Sequence, residues 1–313
     1  MIKTNDLKIK LAGAGYDIAL AKNYKKEDIE AQKARYIKIA ENFEELYGAD
    51  REVSVFSAPG RTEVCGNHTD HNHGIVLAAS VNLDAVAVAG KNDENIVRVK
   101  SEGYKMDVVD ISDLGVMPAE RGRSASLVRG VCAGFKNRGY EIGGFDAATA
   151  SDVLSGSGLS SSAAFEVLLG TMLNHLYNDG KISPVEIAQI AQFAENEYFG
   201  KPCGLMDQTA SSVGGFTAID FNDTTNPIIK KVEFNIADEN HSLCIVNTGG
   251  DHADLTADYA DITVGDRRVA EFFGKEFSEY PHLIKSSFGI SERISGIGRQ
   301  NDSILLFISE MSS

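Results

Sequence analysis

Residues 145–177 combine three elements in an order that few folds can accommodate. A short apolar run from Phe145 to Val153 predicts a buried strand, and an uninterrupted segment from Leu159 to Tyr177 predicts a helix. The turn between them is rich in glycine and serine but has no lysine after its glycines, so it is not a P-loop. Glycine lets backbone N–H groups approach a ligand closely, and a helix start carries unpaired N–H donors and partial positive charge. The pattern therefore predicts an anion site suited to phosphate.

The residues of this turn are the candidates for binding phosphate. The serines at its end could also place a hydroxyl on a magnesium ion. The alternative interpretation is a plain serine- and glycine-rich turn, in which one serine side chain caps the helix. The candidates are Ser155, Gly156, Ser157, Gly158, Leu159, Ser160, Ser161 and Ser162.

Composition limits the class of protein. The chain has 313 residues, of which 43% are hydrophobic, and this length is typical of two domains. A net charge of −15 argues against nucleic acid as a partner, because that binding needs a basic surface. We expect no membrane span and no signal peptide, since the long apolar runs that these need are missing. The cysteines are far apart in sequence, which favours reduced thiols and a cytoplasmic protein; they are Cys65, Cys132, Cys203 and Cys244.

Residues 1–50 are predicted to form a helical extension. Apolar and aromatic side chains recur at helical spacing between Tyr36 and Tyr47, and Gly48 is expected to end this helix. Short strands are predicted further along the chain, at Glu52–Ala58, Ile75–Gly90, Ile96–Val99, Met106–Val109, Phe216–Phe221, Ile228–Phe234 and Leu243–Asn247.

Residues 58–74 form a dense polar segment between two predicted strands, a position that favours a functional site. Two interpretations follow from the residues alone. One is a solvated polar turn. The other is a metal cluster, although no second ligand group at a standard spacing accompanies it. The ligands of such a cluster would be His68, Asp70, His71 and His73.

The same segment resembles the galactokinase signature, which reads G-R-x-N-x-I-G-E-H-T-D-Y-N-x-G-x-V-L. Asn67 stands where the signature has Glu, and His71 stands where it has Tyr. The resemblance implies that Asn67, His68 and Asp70 bind a sugar. Asn67 can accept a hydroxyl hydrogen bond through its amide oxygen, but more weakly than a carboxylate. The matching residues are Gly60, Arg61, Gly66, His68, Thr69, Asp70, Asn72, Gly74, Val76 and Leu77.

The glycine-rich turn at 155–162 also carries a resemblance. Its G-x-G-L-S-S-S-A sequence resembles the second motif of the GHMP kinases, the superfamily of galactokinase, homoserine kinase and mevalonate kinase. In that superfamily the loop wraps the phosphates of ATP, so the resemblance implies ATP as a ligand of this chain.

A second helix is predicted to begin at Ser183, which forms a capping box with Glu186. Glu195 falls on the same apolar face of this helix as Ala191. It is either a carboxylate that reaches the rim and is solvated, or a magnesium ligand. The resemblance implies the second role, with Ser162 supplying a hydroxyl, since Mg²⁺ combines a few protein oxygens with phosphate oxygens.

Residues 200–208 resemble the galactokinase run G-x-P-C-G-I-M-D-Q. In isolation, Asp207 would be interpreted as a turn residue in a glycine loop. The resemblance implies that Asp207 orients or deprotonates the anomeric hydroxyl that is phosphorylated. Arg61 would hold Asp207 ionised and stabilise charge on the transferred group. A looser match at residues 249–259 implies that Tyr259 lines the sugar pocket.

These observations lead us to expect an α+β, two-domain fold of the GHMP kinase type. The predicted division is a helical extension at 1–50, an N-terminal domain with the phosphate loop at 51–215, and a partial C-terminal domain at 216–313. The resemblance ends near Gly274, and we find no third glycine motif beyond it. We therefore expect an incomplete C-terminal domain and either a monomer or a homodimer.

The implied function is ATP- and Mg²⁺-dependent phosphorylation of galactose to galactose 1-phosphate. Two alternatives stay open. One is a kinase for another monosaccharide or an amino sugar, suggested by Asn67 and His71. The other is a protein that binds sugar and nucleotide without catalysis, suggested by the short C-terminal region.

Overall fold

The computed structural model describes residues 1–153, 156–234, 236–239, 241–247 and 304–310, with a few positions between 264 and 274. Its strands, in chain order, are β1 (Ile2–Lys3), β2 (Glu52–Cys65), β3 (Ile75–Lys91), β4 (Ile96–Ser101), β5 (Asp107–Asp110), β6 (Phe145–Ser151), β7 (Phe216–Asp220), β8 (Ile228–Val232), β9 (His241–Asn247) and β10 (Ile304–Glu310). Its α-helices are α1 (Thr4–Ala12), α2 (Asp17–Leu20), α3 (Ile29–Tyr47), α4 (Ser124–Asn137), α5 (Ser161–Tyr177), α6 (Pro184–Phe193) and α7 (Met206–Val213). Across these described ranges, no helix is long and apolar enough to cross a membrane.

One mixed sheet organises the fold. Its strands run in the order β1-β2-β3-β6-β4-β5, and only the β4–β6 pairing is parallel. The long strand β3 has two neighbours along one edge. Its first part pairs with β7 and its second part pairs with β6. Strand β8 continues the sheet beyond β7, while β9 and β10 pair separately.

Helices cover both faces of this sheet, as the alternation along β3 requires. Ala85, Ala87 and Ala89 point to one face and join the core under α4, α5 and α6. Val86 and Val88 point to the other face and pack with α1 and α3. The small alanines leave room for α5 to pack close to the strands. The α+β class expected from the sequence is confirmed.

Several local predictions are confirmed. Helix α3 buries Tyr36, Ala40 and Phe43, and Gly48 ends it with a φ of +94° that favours glycine. The capping box at the start of α6 is present, with Ser183 accepting from the backbone of Glu186. These features depend on neighbouring residues alone, which is why the sequence reveals them.

The strand predicted at Glu52–Ala58 is longer than expected and includes the first half of the polar segment. Strand β2 continues to Cys65 and stays paired with β3. Two register shifts, one after Pro59 and one after Glu63, keep the strand in the sheet despite the proline and glycine of the motif. The motif is therefore half strand and half loop. The division of the chain at residues 50 and 215 stays a prediction, although β7 and β8 belong to the main sheet.

Candidate active site

Arg61 and Asp207 form an ion pair at the centre of the site. The guanidinium donates two hydrogen bonds to the carboxylate, from Nε to Oδ1 at 2.7 Å and from Nη2 to Oδ2 at 2.8 Å. Its third nitrogen, Nη1, donates to the carbonyl of Gly158 at 2.8 Å. One side chain of β2 therefore holds both Asp207 and the glycine turn, two features that lie far apart in sequence.

The position of Asp207 depends on Asp70. Asp207 lies in the first turn of α7 and not in a glycine loop, so the turn interpretation is wrong. The side chain of Asp70 accepts a hydrogen bond from the backbone N–H of Met206 at 3.2 Å, and thus satisfies a donor at the helix start. A Cβ on Gly204 would lie 1.8 Å from Asp70 Oδ2, so only glycine fits there. Asp70 itself is 7% exposed, which excludes a fully solvated turn.

The environment of Asp207 keeps it ionised. Burial raises the pKa of this carboxyl, but the charge and hydrogen bonds of Arg61 outweigh burial. His68 and a hydrogen bond from Ser160 act in the same direction as Arg61, so the net pKa lies well below the usual range. Asp207 is therefore a strong hydrogen-bond acceptor at neutral pH and a weak base.

The glycine turn has a left-handed backbone at three positions that the structure describes. Gly156, Gly158 and Ser160 have φ values of 73°, 74° and 59°. Because Ser160 is left-handed, α5 begins at Ser161, and the prediction of a helix from Leu159 is wrong by two residues. A left-handed non-glycine residue is uncommon, and it is often found where a site requires it.

The left-handed backbone of Ser160 turns its hydroxyl toward the ion pair. Its Oγ donates to Asp207 Oδ2 at 2.5 Å. The side chain of Leu159 instead packs in the core, and its carbonyl accepts from the backbone N–H of Arg61 at 3.1 Å. Gly156, Ser157 and Ser161 lie in the described part of the turn, whereas Ser155 lies outside the described residues.

Ser162 and Glu195, the predicted magnesium ligands, are brought together. Ser162 Oγ donates to Glu195 Oε1 at 2.9 Å. Glu195 is 2% exposed, so the alternative of a solvated rim residue is wrong. It lies in a π-helical turn, Ala194–Phe199, that extends α6, and such turns are frequent at functional sites. Gln208, next to Asp207, donates to the other oxygen of Glu195 at 2.9 Å and joins the two pairs.

The Ser162–Glu195 pair fits a magnesium ion. Octahedral Mg²⁺ with ligands at about 2.1 Å separates neighbouring ligand oxygens by about 3 Å, and the two oxygens here are 2.9 Å apart. Within the described ranges, no group of three or more His, Cys, Asp or Glu side chains could hold a metal ion. A magnesium ion at this pair would therefore need further oxygens from water or from a nucleotide.

Glu166 is a buried carboxylate that the sequence analysis missed. It lies in α5, is 0% exposed, and accepts from Gln208 Nε2 at 3.3 Å. Burial, followed by the charge of Glu195, raises its pKa well above the ordinary value. Its position on an apolar helix face, four residues after Ser162, is the only sequence signal that points to it.

The predicted sugar-binding residues lie around the end of β2. Asn67 is exposed and left-handed, with a φ of 57°. His68 follows it and is also left-handed. Asp70 is buried, and its negative charge acts on Arg61. Tyr259 lies outside the described residues, so its predicted role stays untested.

Glu63 is a second residue that the sequence analysis missed. Its carboxylate accepts from the backbone N–H of His68 at 3.0 Å and lies 2.5 Å from His68 Nδ1. Burial lowers the pKa of His68, but the hydrogen bond with Glu63 raises it to a net value above the ordinary one. The available signal was the galactokinase signature itself, which has Asn at the position of Glu63 and Glu at the position of Asn67. Acid and amide have exchanged places.

The alternative of a metal cluster in the polar segment is not supported. Within the described residues, the histidines of this segment are not gathered with acids into a metal-binding group. His68 faces Glu63, and His71 Nδ1 lies 3.4 Å from Asp70 Oδ1. His73 Nδ1 instead lies 3.2 Å from the carbonyl of Asn222.

Family models match the two regions that build this site. The model for the GHMP kinases N terminal domain matches residues 126–215, and the galactokinase galactose-binding signature matches residues 41–91. The chain therefore contains one region similar to the GHMP kinases and one region similar to the galactokinase galactose-binding signature.

Similar proteins agree with these two matches. A galactokinase of Streptomyces coelicolor is 36% identical over 236 residues, which are 75% of this chain and 60% of the relative. A galactokinase of Clostridium tetani is 33% identical over 56% of this chain and 44% of its own length. The crystal structure of Lactococcus lactis galactokinase complexed with galactose has a TM-score of 0.64 and 29% identity, covering 73% of this chain and 58% of that one. The chain spans about half the length of the relatives that it matches.

Proposed function

We propose that this protein transfers a phosphoryl group from ATP to the anomeric hydroxyl of galactose, giving galactose 1-phosphate. The observation that carries the proposal is that two serines at the start of α5 contact the two carboxylates of the site. Ser160, the residue before α5, donates to Asp207, and Ser162, the second residue of α5, donates to Glu195. The start of α5 would thus contact both the carboxylate that orients the sugar hydroxyl and the carboxylate that holds the metal ion.

Asp207 would accept a hydrogen bond from the anomeric hydroxyl and aim that oxygen at the phosphorus. Its low pKa makes it a poor proton acceptor before transfer begins, so orientation is favoured over deprotonation. This suits phosphoryl transfer, which depends mainly on positioning and electrostatic stabilisation. As the bond from the sugar oxygen to the γ-phosphorus forms, the bond to ADP would break, and the proton of the now acidic hydroxyl would pass to the Asp207 carboxylate.

Arg61 would have two roles. It keeps Asp207 ionised through two hydrogen bonds, and its positive charge would lie beside the transferred group. Positive groups fixed at this position stabilise the charge that develops during transfer. The bond from Arg61 to the carbonyl of Gly158 also fixes the phosphate loop relative to the acceptor.

ATP is the phosphoryl donor implied by the similarity of residues 126–215 to the GHMP kinases. The described part of the turn, residues 156–162, together with the start of α5, would bind its phosphates through backbone N–H groups. Ser162 and Glu195 would hold Mg²⁺. Bound there, the ion would neutralise phosphate charge and orient the phosphates for transfer.

Asn67, His68, Asp70 and Tyr259 are the proposed ligands of the sugar hydroxyls. The Lactococcus lactis structure holds galactose, as its name states, which supports a hexose in the corresponding site. Glu63 would contribute by orienting the ring of His68. Because its carboxylate takes the Nδ1 side, Nε2 is left for a sugar hydroxyl.

The exchange of acid and amide at positions 63 and 67 favours a second candidate. A kinase for a related monosaccharide or an amino sugar would use the same transfer chemistry with a changed hydroxyl pattern. Galactose remains the first choice, because the galactose-binding signature matches residues 41–91 and both similar proteins are galactokinases.

The test is sugar-dependent release of ADP by the purified chain with Mg²⁺ and ATP. We expect galactose to stimulate release by the wild type and by Asp223→Asn, which alters an exposed loop carboxylate. Asp207→Asn should reduce stimulated release by at least about a hundredfold while nucleotide binding persists. Retained turnover in Asp207→Asn would refute the assignment. Stimulation by another sugar but not by galactose would favour the second candidate.

A further inference from the structure

Lys201 forms an ion pair with the predicted metal ligand. Its Nζ lies 3.3 Å from Glu195 Oε1, the same oxygen that accepts from Ser162. The backbone N–H of Lys201 also donates to the carbonyl oxygen of Glu195 at 3.1 Å. The lysine is therefore held next to Glu195 by its backbone as well as by its side chain.

The ammonium of Lys201 lies in the electric field of two carboxylates of the site. The negative charges of Glu195 and Asp207 both act on it. Arg61, by contrast, is committed to Asp207 and the glycine turn, and its side chain is only 8% exposed. The Lys201 side chain is 42% exposed, so this lysine can change partners without breaking the core.

A metal ion and this ammonium cannot share Glu195 Oε1 without strong repulsion. Mg²⁺ binds its oxygen ligands at about 2.1 Å, so an ion at Ser162 and Glu195 would lie within a few ångströms of Nζ. Lysine has a flexible four-carbon stem and three donors, and it binds phosphate as a compact point charge. Arrival of a metal–nucleotide complex would repel the ammonium from Glu195 and offer phosphate oxygens next to it.

We propose that Lys201 is a displaceable counter-ion of Glu195. Without nucleotide it neutralises the buried carboxylate, and with Mg·ATP it moves to a phosphate oxygen. Lys201 thereby adds a phosphate-binding cation that none of the family motifs specifies, since its position in the matched run is variable. The inference rests on the proposed function, because it needs the nucleotide to bind at this site.

The test uses two affinities that should change in opposite directions. Mn²⁺ binding to the nucleotide-free protein is measured by electron paramagnetic resonance, and Mg·ATP binding is measured by calorimetry without sugar. Lys201→Met should bind Mn²⁺ about two- to fivefold more tightly, because a competing cation is gone. It should bind Mg·ATP about tenfold more weakly, because a charged hydrogen bond to phosphate is lost.

Two further variants serve as controls. Lys201→Arg keeps the charge and should recover most of the Mg·ATP affinity. Lys181→Met removes an exposed lysine that is paired with Asp179, and both affinities should stay unchanged.

Three results would overturn the inference. Equal affinities in wild type and Lys201→Met would mean that the ion pair has no role in binding. Loss of both affinities would mean that Lys201 only supports the loop. In either case, wild-type turnover leaves the proposed function intact. A wild type that binds no Mg·ATP would overturn both proposals together.

Discussion

Replacing Arg61 by methionine should destabilise the fold as well as impair transfer. Loss of one partner from a buried ion pair costs about 3–5 kcal/mol. The Arg61 side chain is 8% exposed but that of Asp207 is 32% exposed, so water can partly solvate the remaining carboxylate. We therefore expect Arg61→Met to lower the free energy of unfolding by about 2–3 kcal/mol. Asp207→Asn, which leaves the more buried guanidinium without its charge partner, should cost about 3 kcal/mol.

The double variant isolates the interaction between Arg61 and Asp207 from the interactions that each side chain makes with other residues. Because the two changes remove the same interaction, Arg61→Met/Asp207→Asn should cost about 2 kcal/mol less than the sum of the single changes. Urea unfolding at neutral pH measures all four proteins, and the dependence on urea should be the same in each. Additive single costs, within about 0.5 kcal/mol, would refute the claim that these side chains stabilise each other.

The same pair predicts a pH dependence. Burial raises the pKa of Asp207, but Arg61 outweighs it, so the folded-state pKa lies below the ordinary value of about 4. The stabilisation is therefore fully present above about pH 4 and is lost as the pH falls through the folded-state pKa. The stability gap between wild type and Arg61→Met should narrow below about pH 4. A gap that stays constant in acid would contradict this explanation.

Two other substitutions test the support of the site. Gly204→Ala would place a Cβ 1.8 Å from the Asp70 carboxylate, so urea unfolding should show a loss of about 3 kcal/mol. Gly13→Ala meets its nearest neighbour at 3.6 Å, and a change above about 0.5 kcal/mol would argue against this use of contact distance. Glu63→Gln should lower the pKa of His68, measured by NMR titration of the ring protons, because the amide lacks the negative charge with which Glu63 favours the protonated ring. An unchanged pKa would mean that Glu63 does not face the ring in solution.

The parts of the fold that depend on neighbouring residues could be predicted from the sequence. Helix α3 and the capping box of α6 follow from periodicity and from a local side chain that caps the backbone. The course of β2 could not be predicted, because Pro59 and Gly60 are typical of a turn. Pairing with β3 and two register shifts keep them in the strand. That pairing is a property of the sheet and not of the segment.

In the candidate site, too, features set by neighbouring residues could be predicted and features set by distant residues could not. Resemblance supplied Arg61 and Asp207, but the helix that carries Asp207 begins where Asp70, 136 residues before Met206, accepts a backbone hydrogen bond. No local signal marks that start. The left-handed backbone of Ser160 was also hidden, because serine is compatible with the helix pattern that follows it. Glu63 could have been found by comparing every position of the signature.

The most direct test of the account is the identity of the phosphorylated product. Phosphorus NMR of the chain incubated with Mg²⁺, ATP and galactose should show a new sugar phosphate signal, split by the anomeric proton, that grows as ADP accumulates. The signal should be absent without galactose and with Asp207→Asn. A wild-type sample that forms only ADP and inorganic phosphate, or no product at all, would contradict the proposal that this site phosphorylates the anomeric hydroxyl of galactose.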